Sequence, residues 1–251
     1  MGETTPAFYA VRGGRAADWW TLLHPPYTIW HLSYVVLGAA IAPTLDWAGL
    51  GLSVLAFFLA VGVAAHALDE LQGRPLGTGI SGTALKGAAG AALTGAVVLG
   101  MVGVLGVLDG GRFNGPLAVA IPVGLLFVLG YNLELFGGRL HTDLSFAAAW
   151  GGFPVLVGFF AQSPRLTWTL AVAVVAATLA AVGTAFAQRS LSTPARRLRR
   201  RTVEVTGTTT DLAGQVSVLD RAALLAPLET ALRALSWAIP LVAVGALLAR
   251  A

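Results

Sequence analysis

No cysteine occurs in this chain, which excludes disulfides, thiolate metal ligands and a cysteine nucleophile. Charge is also scarce: Asp, Glu, Lys and Arg make up 11% of the 251 residues, against 56% hydrophobic ones. With a mean hydropathy of +0.76, that balance excludes an ordinary soluble domain. Strict alternation over segments of about ten residues is missing, so a transmembrane β-barrel is excluded as well. What is present are long Ala/Leu/Val/Gly runs that approach or exceed the roughly 20 residues needed to cross a hydrocarbon core. The chain reads as an all-α polytopic membrane protein, in which the 31 glycines serve as helix-packing faces.

The apolar runs place helices at about 28–44, 48–68, 82–108, 115–132, 143–162, 166–187 and 222–249, a bundle of about seven transmembrane helices. Four segments follow: a cytoplasmic or interfacial stretch 1–27, a six-helix bundle 28–189, a basic Ser/Thr/Gly-rich loop 190–214, and a C-terminal helix 215–251. The loop, with Thr208, Thr209, Thr210 and Asp211 near its end, reads as mobile. Pro227, Glu229, Arg233 and Pro240 interrupt the last run, so its first half is expected to lie in the interface before the second inserts. No cleavable apolar core follows Arg12 and Arg15, and the first membrane helix is expected to drive insertion.

Orientation follows from the cations. With the N-terminus cytoplasmic, that side collects Arg12, Arg15, Arg74, Lys86, Arg139, Arg189, the run Arg196, Arg197, Arg199, Arg200, Arg201, and Arg221; the other side holds Arg112, Arg165 and Arg250. The expected location is therefore the cell membrane, multi-pass, with the formal charge of +4 expressing topology and contact with anionic lipids. Stacking aromatics do not interleave the cations, so nucleic acid is not an expected partner. The arginine run reads first as an anchor, and alternatively as a phosphate contact.

Polar side chains gather where the second, fourth and sixth helices end on that same side. His66, Asp69, Glu70 and Arg74 follow the second; Tyr131, Asn132, Glu134, Arg139, His141 and Asp143 fill the fourth connector; Gln188 and Arg189 follow the sixth. A pocket opening to the cytoplasm is the natural inference. Residues three or four apart share a helix face, so His66 is expected to point with Asp69 and Glu70. Carboxylates there suit Mg²⁺, which keeps several waters and bridges to substrate phosphates. Arg74, Arg139 and Arg189 are placed to take further phosphate oxygens, and His31 with Trp30 and Tyr34 to line the pocket from the first helix. A phosphorylated head on a long apolar tail fits both halves of such a site.

Three stretches over residues 24–189 resemble the UbiA superfamily of intramembrane prenyltransferases. His24-Pro25-Pro26-Tyr27-Thr28-Ile29-Trp30-His31 is similar to that family's basic-residue-Pro opening of the first helix, followed here by a small residue at Gly38. The stretch from Ala65 through His66, Asp69, Glu70, Gly73, Arg74, Pro75 and Leu76 to Ile80 and Ser81 stands where the family has N-D-x-x-D-x-x-x-D and a trailing R-P-L…G…I-S. Tyr131, Asn132, Glu134, Leu140, Asp143, Gly151, Gly152, Pro154 and Gly158 resemble its fourth connector and fifth helix. Against the motif, His66 replaces the first aspartate and Gly73 the third, and no acid appears between Ala187 and Glu204 where a second aspartate-rich motif belongs. The family's final helices are also missing.

The resemblance implies a divergent prenyl or lipid transferase acting on an isoprenoid diphosphate. On that reading His66, Asp69 and Glu70 are catalytic, Asp69 and Glu70 hold Mg²⁺, and Arg74, Tyr131, Asn132, Arg139, Arg189 and His31 bind substrate. A second reading is a non-catalytic relative that binds an isoprenoid, quinone or pigment, or serves as a subunit of a membrane complex. A third is an isoprenoid cyclase or isomerase with Asp69 or Glu70 as the acid. No internal repeat marks a transporter.

Overall fold

The computed structural model describes residues 5–250; residues 1–4 of the N-terminal segment and residue 251 lie outside the described residues. Each of the seven expected crossings is a helix. We label them α2 (Pro25–Ile41), α3 (Trp47–Leu71), α4 (Gly82–Val104), α5 (Gly115–Asn132), α6 (Asp143–Gln162), α7 (Trp168–Arg200) and α8 (Arg221–Leu248). They are preceded by a short helix α1 (Gly14–Leu22). Six of them, α3 to α8, are long and apolar enough to cross a membrane.

Their starts are written locally. Asp46, Ser81, Asn114, Thr142, Thr167 and Asp220 each sit in extended backbone and accept from an N–H of the first turn of α3 to α8 in order. Each cap satisfies a donor that helix geometry leaves open. Helix α2 starts instead with Pro25 behind His24, whose φ of 47° is unusual for a residue preceding proline.

α2 is the central post, packed by α6, α8, α3 and α7. Its seam with α6 depends on two reciprocal glycines: a Cβ added at Gly38 meets the carbonyl oxygen of Val155 at 2.0 Å, and one at Gly158 meets that of Val35 at 2.0 Å. Only bare backbone allows this approach. Two stretches of wide π-helix interrupt the pattern, Phe58–Ala65 in α3 and Ala148–Gly152 in α6. Such turns shift the side chains beyond them around the axis and free carbonyls from the usual ladder. Both stretches run toward the same end of the bundle.

Two expectations need correction. The loop expected at 190–214 is helical through Arg200, Pro194 included, and continues into a small hairpin, β1 (Thr208–Thr210) with β2 (Val216–Val218), in register Thr209↔Ser217. Asp211 Oδ1 accepts from Ala213 and Gln215 N–H groups, and Gly214 takes φ 82°, which closes the turn between strands. The C-terminal run is one continuous helix, α8, rather than an interfacial piece followed by a crossing. Its Glu229 meets the guanidinium of Arg199 with two hydrogen bonds, so the polarity that argued for the interface is paired within the bundle.

Candidate functional site

The polar ends of α2, α3, α5, α6 and α7 enclose one chamber of about 630 Å³. That volume lies within the ~300–1,000 Å³ typical of small-molecule sites. From α3, His66 and Asp69 line it, as does Arg74 from the following connector. The tautomer of His66 is fixed from behind, where Nδ1 meets the Gly62 carbonyl at 3.0 Å, leaving Nε2 for the chamber side of the ring.

Glu70 does not join them. Fully buried, it accepts from Leu76 N–H through one oxygen and from Thr78 N–H and Oγ1 through the other, all at 2.9 Å. Three donors for one carboxylate stitch the 72–81 connector to α3, and none of the chamber's lining belongs to Glu70. Its expected catalytic and metal-holding roles are corrected to a structural one. Arg74 sits in the same connector at φ 55° with Nη1 donating to the Ile80 carbonyl at 2.5 Å.

Helix α7 supplies the opposite wall. Gln188 and Arg189, Ser192 and Thr193, Arg196 and Arg197, Arg200 and Arg201 all line the chamber. Each pair is four residues from the next, so two adjacent ridges of one helix face project into the space. Arg199 points the other way, to Glu229 on α8. Arg189 is partly engaged, its Nε donating to Asp143 at 2.9 Å. Asp143 is therefore an ion-pair partner; the cap of α6 is Thr142.

A third wall is aromatic. Tyr131 stacks on His141 with centroids 4.3 Å apart, and Phe146 and Trp150 complete it. His31 enters from α2, with Nδ1 at 2.9 Å from the Trp150 carbonyl, a group within the π-helical stretch of α6. Asn132 also lines the chamber, its amide donating back to the Val128 carbonyl. Trp30 and Tyr34 lie elsewhere, joined to each other and to Thr184 in the buried core. Arg139 is exposed on the connector and outside the lining; His141, two residues on, takes the place expected for it.

An N-terminal strap closes the chamber. Arg199 donates to the Thr5 carbonyl at 3.4 Å, Arg200 to the Pro6 carbonyl at 3.0 Å, and Val11 exchanges two hydrogen bonds with Thr21. Between these anchors Ala7 and Tyr9 face inward. Burial, then the neighbouring Tyr27, raises the Tyr9 phenol above its ordinary range, so it stays protonated. His24 stacks on His66 at 4.2 Å, and burial, followed by the fields of His66, Arg200 and Arg196, holds its imidazole well below the usual histidine range. Sequence reasoning missed Tyr9, which no local motif marks, and gave Tyr27 no role beyond its place in the His24–His31 stretch.

Among the described residues, three polar atoms at this chamber's walls are buried without a hydrogen-bond partner in the protein: His24 Nε2, Tyr131 Oη and Gln188 Oε1. Native structures seldom leave such groups unmet, so these atoms are open to water or to a polar ligand in the chamber. Among the described residues the lining has six arginines, four histidines and one carboxylate, Asp69. Among the described residues no three His, Asp or Glu side chains come together as a metal-holding group. This donor set does not fit a protein-held Mg²⁺, which takes oxygen ligands.

An apolar groove shares part of its wall with the chamber. Ala60, Val61, Ala96, Gly100, Ala120, Gly124, Phe127, Trp150 and Phe153, from α3, α4, α5 and α6, line a space of about 110 Å³. Val61 and Trp150 belong to both spaces. Comparison of the chain with protein-family models, with curated proteins and with solved structures gives no match.

Proposed function

We propose that this protein receives a phosphorylated isoprenoid-type lipid, its anionic head in the arginine-lined chamber and its tail in the apolar groove, and acts on it as a divergent UbiA-like prenyl or lipid transferase. The observation that carries this reading is the shared wall at Val61 and Trp150, which makes one amphiphilic site of a basic chamber and a greasy slot. The excess of cations at the chamber end supports a cytoplasm-facing mouth in the cell membrane.

On this reading the allylic C–O bond breaks and its electron pair leaves on the diphosphate, whose charge the guanidinium groups offset. The acceptor's lone pair takes the allylic carbon. The proton the acceptor gives up passes to Asp69, the sole carboxylate of the lining among the described residues, or to Nε2 of His66. Among the described residues the carboxylate of Asp69 makes neither a hydrogen bond nor an ion pair, so it is free to take that proton.

A second reading, a carrier or membrane-complex subunit that binds such a lipid without turning it over, is favoured by the tie between Glu70 and its own connector, which leaves one acid in the chamber. One experiment separates them. Purified protein in detergent is incubated with radiolabelled prenyl diphosphates and a lipid extract, beside Asp69→Asn. Turnover that disappears in the variant supports the transferase, a bound lipid without turnover supports the carrier, and neither sinks the proposal.

A further inference from the structure

The chemistry of the lining opposes what the family resemblance implies about metal. A diphosphate presents several negative oxygens, and a site that recruits Mg²⁺ for it needs carboxylates to hold the cation. Among the described residues the lining carries one carboxylate against six guanidinium groups. Of the arginines on α7, Arg189 is partly engaged by Asp143 and Arg200 by the Pro6 carbonyl. Among the described residues Arg196 and Arg197 donate to no neighbour, and both face the chamber. Guanidinium forks match phosphate oxygens bidentately and keep their charge at any physiological pH. Beside them the buried hydroxyl of Tyr131, only 6% of its residue exposed, has no partner among the described residues and is positioned to donate to an anion.

We infer that the chamber holds a diphosphate group without a divalent metal, Arg196 and Arg197 standing where metal ions would otherwise neutralise it. The inference rests on the phosphorylated-lipid reading above and specifies how the head is held. Mg²⁺ then acts as a competitor: it binds diphosphate in solution, removes most of the charge the arginines recognise, and finds no set of acids in the chamber to bridge to.

The test is isothermal titration of the full chain in detergent with inorganic pyrophosphate, geranyl diphosphate and geraniol, each in EDTA and again in excess MgCl₂. Both diphosphates are expected to bind in EDTA and to bind more weakly in Mg²⁺. Arg196→Gln and Arg197→Gln should each weaken binding by about tenfold, the loss of one charge-assisted contact. Arg139→Gln, outside the chamber, should change nothing. Thermal unfolding of each variant separates lost contacts from lost folding, and Arg197, exposed at the rim, is the substitution least able to disturb packing. Binding of geranyl diphosphate that requires Mg²⁺ overturns the inference and leaves the lipid reading intact. Failure of geranyl diphosphate to bind in either buffer overturns both. Pyrophosphate binding as tightly as geranyl diphosphate supports a metal-free anion site and removes the lipid.

Discussion

Asp69 and Glu70 are neighbours in sequence and opposites in role. Glu70 is enclosed by three donors and holds a connector, whereas Asp69 looks into the chamber. Glu70→Gln turns an amide toward N–H groups that need an acceptor, and should lower stability by about 2–3 kcal/mol. Asp69→Asn should leave the thermal midpoint in detergent nearly unchanged while removing any turnover. Equal midpoints for the two variants would contradict the assignment. His24 carries a pH dependence of definite sign. Its imidazole protonates less readily folded than unfolded, so the unfolded chain binds the extra proton. The stability it contributes is complete above the unfolded value of about 6.5 and declines as pH falls below it. Asparagine tolerates the φ of 47° at this position, so His24→Asn should keep the turn and flatten the fall in thermal midpoint between pH 7 and pH 5. Parallel curves for the two proteins would acquit His24.

At the scale of elements, the glycines of α2 and α6 separate packing from propensity. Gly158→Ala places a methyl 2.0 Å from the Val35 carbonyl oxygen and should destabilise by ~1–3 kcal/mol, since two backbones must part. Gly183, on the lipid side of α7, has nothing within 4 Å of an added Cβ, and Gly183→Ala should be neutral or stabilising by roughly 0.5–1 kcal/mol. Thermal unfolding in detergent reads both signs. Much of this architecture is legible in the chain: hydrophobic run length places all seven long helices, six of them long and apolar enough to cross a membrane. What was not legible is where α7 ends. Arg196 to Arg201 read as an anchor in a loop because they lie past the apolar run and beyond Pro194, yet the four-residue spacing from Gln188 to Arg200 was already a helical stripe. Glu70 was misread for a different reason. The π-helical stretch before it sets which way the end of α3 faces, and no periodicity announces such a turn. The inward position of Tyr9 depends on the long-range contacts of its strap with Arg199 and Arg200, beyond any local pattern.

For the whole molecule, the proposed lipid reading requires that head and tail contribute to affinity through separate walls, the chamber's and the groove's. Inorganic pyrophosphate samples only the chamber; a short, water-soluble prenyl diphosphate samples both. Ala60 lines the groove beside Val61, where the two spaces meet, and is remote in chemistry from the arginines of α7. Ala60→Trp therefore blocks the slot without touching the charge. Each methylene buried from water is worth about 0.8 kcal/mol, so exclusion of three such groups should weaken geranyl diphosphate by roughly fiftyfold. Pyrophosphate should bind the variant as it binds the original protein. Titration of both ligands against both proteins checks this, and its informative quantity is the ratio of the two losses. If pyrophosphate and geranyl diphosphate weaken together, the substitution has deformed the chamber and the two spaces are one packing unit. If neither weakens, the tail lies outside the groove and the amphiphile is held by its head alone.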